Sequence, residues 1–87
     1  MTRSEEVEYG ARAQQLLDDP VLQKVLADLE AQYVESWRKT PPEDAQGREM
    51  LYRAITCLDH VRTHLNVVAQ SGRLTLAHME RLKGRKE

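Results

Sequence analysis

The sequence predicts an all-α protein, an antiparallel helical hairpin of two long helices over about 20–39 and 42–70 with short flanking helices. Three observations carry that prediction. Two stretches repeat apolar residues at steps of three and four, the period of one helical face. The segment TPPED between them holds helix-stop and helix-start residues. No stretch alternates polar and apolar residues around a hairpin turn, as paired strands would.

Residues 4 to about 17, SEEVEYGARAQQLL, can open as a helix with Ser4 as N-cap and acids in the first turn. Gly10 and a thin apolar content predict a short or frayed element. LLDDPVLQ then reads as a stop and restart, with Asp19 as N-cap and Pro20 at the first helical position.

From Pro20 to about Lys39 the stripe is Leu22, Leu26, Leu29, Tyr33 and Trp37. Lys24, Asp28, Glu35 and Arg38 occupy the opposite face. Proline at 41 pushes Thr40 out of α geometry and ends this helix. Thr40, Pro41 and Glu43 are then expected to start the next one as N-cap, first position and capping-box acid. Its stripe is Leu51, Ile55, Leu58, Val61, Leu65 and Val68, with Gly72 expected as a left-handed residue closing it. A last short helix is expected over about 74–82, followed by a basic tail.

Eighty-seven residues make one small domain, here 1–87. Aromatics are 5% with no Phe, so aliphatic side chains must build the core. A two-helix hairpin cannot enclose a core by itself. Val25, Val34, Met50, Cys57 and Val67 widen both stripes beyond one partner, so a homo-oligomer is expected, with a dimer favoured. The interface candidates are the stripe residues Leu22, Leu26, Leu29, Tyr33, Trp37, Leu51, Ile55, Leu58 and Leu65. Trp37 is expected to close the end of the hairpin against Leu51, Tyr52 or Ile55 rather than to bind a ligand.

Charge is uneven. Residues 1–47 hold 5 Lys/Arg against 10 Asp/Glu, and residues 48–87 hold 8 against 4, for a net −1 over the chain. Arg81, Lys83, Arg85 and Lys86 at the end could contact nucleic acid, but a solvated helix end is the favoured reading, since a nucleic-acid domain is usually basic overall. Helices as long as those around TPPED do not fit a DNA-reading helix-turn-helix.

Chemistry finds little support. Cys57, His60 and His64 share one helical arc, but the HExxH zinc pattern is absent and no second shell is visible. Cys57 is expected to be a small buried hydrophobe, and the histidines to sit at the polar edge. The glycines at 10, 47, 72 and 84 are too scattered to cradle phosphate. No catalytic, cofactor or metal residues are assigned, and the chain is expected not to be an enzyme. The lone cysteine, the absence of an apolar leader and the lack of a membrane-length apolar run together predict a cytoplasmic protein.

Four strings, LLDDPVLQ, WRKTPPED, GREMLY and SGRL, lie within a region from Gly10 onward covering about three quarters of the chain. That region resembles small helical proteins, mostly uncharacterised, encoded by tailed bacteriophages and prophages. The resemblance implies a place among virion-morphogenesis or DNA-packaging genes, and with it a virion or host-cell location. It implies no defined activity. The expected partner is then a second copy together with a phage structural protein or a host protein. The alternatives are a small-terminase-like packaging accessory using the basic half, and a small inhibitor docking on a host protein.

Overall fold

The computed structural model of the chain describes residues 1–84, and these form three α-helices: α1 (Arg3–Asp18), α2 (Pro20–Lys39) and α3 (Ala45–Gly84). No strand occurs among the described residues.

The first helix is longer and better capped than expected. Thr2, not Ser4, starts it: the Glu5 N–H donates to Thr2 Oγ1 at 3.1 Å, and the Thr2 N–H donates to Glu5 Oε1 at 3.0 Å. This reciprocal pair is a capping box. The Thr2 backbone N–H, and then its side chain, hold the Glu5 carboxyl below its ordinary pKa. The helix also runs through Gly10 for 16 residues. Asp19 caps α2 as expected, accepting from Val21 N at 2.7 Å and Leu22 N at 3.2 Å ahead of Pro20 at the helix start.

The connection between α2 and α3 departs from expectation. Thr40 closes α2 instead of opening α3: its N–H donates to the Trp37 carbonyl at 3.2 Å and its hydroxyl to the Ser36 carbonyl at 2.7 Å. Residues 41–44 form a turn in which the Asp44 N–H donates to the Pro41 carbonyl at 3.0 Å, with Pro42 at the second position, where a fixed φ suits a β-turn. Asp44 is the cap of α3, accepting from Gly47 N at 3.0 Å. Two short acceptors stand ahead of α3, Thr40 and Asp44, and the one whose backbone leaves the turn beside the new helix takes the role.

The largest difference lies at the other end of α3. The helix is 40 residues long and passes straight through Gly72, absorbing the segment expected as a separate helix. Among the described residues no glycine has positive φ, so Gly72 is not a left-handed stop. It lies buried in the middle of the rod.

One seam along α3 explains the continuity. Leu51, Ile55, Leu58, Arg62, Leu65, Ala69, Gly72 and Leu76 follow one another at alternating steps of four and three, the spacing that keeps a single helical face toward a neighbour. Leu51 through Leu65 are half-buried on this seam, and Ala69 and Gly72 are buried.

The chain divides into two compact units that share α3. In the first, residues 1–18 pack with α3 from residue 63 to 84. Thr75 Oγ1 donates to Glu6 at 3.1 Å and Arg73 to Gln14 at 2.7 Å, so contacts run in opposite chain senses. The backbones nearly touch at Gly10 and Gly72: a Cβ built on Gly72 would stand 2.8 Å from the Gly10 Cα. Ala13 and Ala69 extend this crossing and are the only buried hydrophobic side chains among the described residues.

The second unit, residues 19–62, contains α2 and the start of α3. Its bulky aliphatic side chains Leu22, Leu26, Leu29, Leu51, Ile55 and Leu58 are all half-buried. Arg62 stands on the α3 seam and donates to Glu30 at 2.9 Å and to Asp59 at 3.3 Å. Leaving a cation in an apolar seam is tolerable because both partners are present and its side chain keeps 33% exposure.

Candidate interaction surface

The sequence-assigned stripes fall in different units. Leu22, Leu26, Leu29, Tyr33, Trp37, Leu51, Ile55 and Leu58 belong to the second unit, whereas Leu65 belongs to the first. All except Trp37 are half-buried. Among the described residues no large side chain is completely buried. Each stripe is therefore covered on one side only.

Trp37 is 38% exposed, and the Arg48 guanidinium stands over its ring, 4.6 Å from the centroid. Arg48 also reaches the Thr40 carbonyl at 3.5 Å, so one cation spans the turn and the indole. A contact of this kind is worth about 0.5–1 kcal/mol at an exposed site. Tyr52, expected near Trp37, is 63% exposed.

Flanking apolar residues remain in solvent: Val25 at 47%, Met50 at 72% and Val67 at 48%.

In the first unit the apolar surface is concave. A groove of about 320 Å³ has Ala13 at its floor, Tyr9 and Leu16 of α1 along one edge and His64, Leu65 and Val68 of α3 along the other. Tyr9 is 52% and Leu16 49% exposed. Neither was assigned as an interface residue from sequence, nor were the small residues beneath them. The available signal was the pairing of Gly10 with Ala13 and Ala69 with Gly72, small residues three apart on two segments, which lets two helix backbones close up.

Cys57 is exposed, which corrects its expected burial. The helix turns it toward the flank of the seam, between Ala54 and Val61. His60 and His64 are exposed as well, and no group of three metal-binding side chains occurs among the described residues. Three arginines of α3 are paired within the chain: Arg53 with Glu49 at 3.1 Å, Arg62 with Glu30 and Asp59, and Arg73 with Gln14. Arg81 and Lys83 are exposed in the last turn of α3, whereas Arg85 and Lys86 lie outside the described residues. No helix among the described residues is long and apolar enough to cross a membrane. No family model, curated protein or solved structure matches this chain.

Proposed function

We propose that this chain is a non-enzymatic, self-associating helical protein that acts through protein–protein contacts in virion assembly or DNA packaging. The observation that carries the contact role is the half-open core: every large apolar side chain of both stripes keeps solvent exposure. Burying apolar area against a second surface stabilises such a stripe by about 25 cal/mol per Å². The antiparallel hairpin belongs to this reading and is supported by two contacts, Trp37 with Arg48 and Glu30 with Arg62, which pair late α2 with early α3 and middle with middle. The virion setting comes from the phage-like strings around LLDDPVLQ and WRKTPPED.

Two measurements test it. Molar mass by light scattering or sedimentation is expected to give an oligomer, a dimer in the first instance, at micromolar concentration. Affinity capture from phage-infected cells is expected to bring down capsid, portal or tail components. A strict monomer that captures nothing would sink the proposal. Tight salt-dependent DNA binding would shift the role to packaging recognition, because each neutralised phosphate steepens the salt dependence.

A further inference from the structure

We infer that Arg62 is a pairing-selection residue: one cation in the middle of an otherwise apolar seam makes α3 accept α2 of its own chain and reject α3 of a second copy. This rests on the hairpin reading above. It concerns which surfaces self-association can use, not whether it occurs.

The seam by itself invites the wrong partner. From Leu51 to Leu76 its positions recur at alternating steps of four and three, the seven-residue repeat through which two identical helices wind together. Two copies of α3, each 40 residues long, offer each other that repeat along most of their length. Within one chain the turn at residues 41–44 ties the end of α2 to the start of α3 and limits how far the two can slide. Between chains no such tether exists, and the seam side chains alone decide.

Arg62 is the one charged side chain on the seam, midway between Leu58 and Leu65. Glu30 of α2 meets it at 2.9 Å, across 32 positions of sequence. By contrast, Arg12–Glu8, Lys24–Asp28, Lys39–Glu35 and Arg53–Glu49 each join residues four apart on one helix. Those pairs are indifferent to which helices meet; Glu30–Arg62 is not. Glu30 stands four residues after Leu26 and three before Tyr33, so it arrives at Arg62 together with the apolar stripe of α2. The two side chains keep 41% and 33% exposure, so both are partly withdrawn from water.

Pairing α3 with α3 removes Glu30 and supplies less in return. The seam itself carries no acid. Asp59 accompanies Arg62 on the same helix, three residues away, so two copies of α3 bring one acid per cation where the hairpin brings two. In a parallel pair at equal alignment the two Arg62 side chains also face each other, like charges within an apolar contact. A cation deprived of water and of its partner is the costly state, whereas an apolar side chain in its place is tolerated or favoured. One polar residue on a heptad seam is enough to select partner and alignment, at some loss of stability.

The test is Arg62→Leu, with Arg62→Lys and Glu30→Gln beside it. It is read by sedimentation of the full chain and by spin-label distances from Cys57. Cys57 is the sole cysteine and is exposed, so a label there reports how near two copies of α3 lie without altering the seam. Arg62→Leu should tighten self-association at least about tenfold, the scale on which apolar replacement of a desolvated ion pair stabilises. It should also produce a short label-to-label distance that the wild type lacks. Arg62→Lys keeps the charge and should retain the wild-type mass and distances. Glu30→Gln should lower stability without tightening association, since the cation stays on the seam. An Arg62→Leu chain with wild-type mass and distances overturns the inference. So does one that no longer folds, because Arg62 is then a requirement of the hairpin and not a selector. Tightened association in Glu30→Gln counts against it equally. The wild type alone gives a further check: a short Cys57-to-Cys57 distance means that α3 already meets α3, and overturns the inference without any variant. A monomeric wild type whose Arg62→Leu form pairs through α3 supports the selection by Arg62 and counts against the self-association proposed above.

Discussion

The same helix, α3, packs in two unlike ways along its length. Against α1 it brings backbone to backbone, through Gly10, Ala13, Ala69 and Gly72. The α2 unit instead holds large side chains, Leu22, Leu26, Leu29, Leu51, Ile55 and Leu58, all half-buried, with Arg62 held by Glu30. The first mode buries small atoms completely and leaves its larger neighbours, Tyr9 and Leu16, at the rim. The second spreads partial burial over many side chains. Close approach thus gains tight contact but offers little apolar area, and a groove stays open over Ala13.

The sharpest way to break this contrast is at Gly72. Alanine in a helix interior normally stabilises relative to glycine by about 0.5–1 kcal/mol. Here its Cβ would meet the Gly10 Cα at 2.8 Å and the Glu6 carbonyl at 3.2 Å, both backbone. Gly72→Ala should therefore destabilise by about 1–3 kcal/mol, the usual range for overpacking, and chemical denaturation would read it. Gly84→Ala is the control, because nothing stands within 4 Å of its Cβ position. A stabilised Gly72→Ala would mean the helices do not approach so closely.

In the side-chain-packed unit, Leu58→Ala should cost about 1–2 kcal/mol. That lies below the 2–5 kcal/mol of a fully buried leucine, since Leu58 is only half-buried. If Leu58→Ala cost as much as a closed-core truncation, a second surface would already be covering it. Repeating the measurement across protein concentration separates the two cases.

Smaller still is Asp19→Ala, which removes the acceptor for Val21 N and Leu22 N and should cost about 1 kcal/mol. Thermal melts are sufficient to see it. A near-zero effect would indicate that packing alone fixes the start of α2.

The weakest effect belongs to the Thr2–Glu5 box. Folding lowers the Glu5 pKa from 4.5, so its ionised form is the one the fold prefers. The contribution is present above that unfolded value and is lost as pH falls through the lower folded one. The difference in melting temperature between wild type and Glu5→Ala should accordingly be largest near neutrality and vanish in acid. A difference that grows on acidification would contradict this.

Much of the helical layout was legible in the sequence because its signals are local. Asp19 followed by Pro20 marked the start of α2, and Pro41 placed its end at Thr40, each through φ restriction and a short acceptor that needs no distant partner. The apolar stripes of α2 and α3 were legible for the same reason, since helical period is a property of neighbours in sequence. What sequence left open was which of two caps opens α3, because Thr40 and Asp44 offer the same chemistry and only the turn between them selects one.

The role of Gly72 was decided by tertiary structure alone. A glycine after an apolar run is an ordinary helix end, and nothing within a few residues of it says otherwise. Its missing side chain matters here because Gly10, sixty-two positions away, requires the space. The helix α3 runs on past that contact, Leu65 falls in the unit of α1, and Ala13, beside the crossing, lines the groove of Tyr9 and Leu16. Sequence by itself determined that this chain is helical and where its apolar faces lie. Which faces meet, and which stays open, depended on backbones approaching closely enough for two glycines to touch.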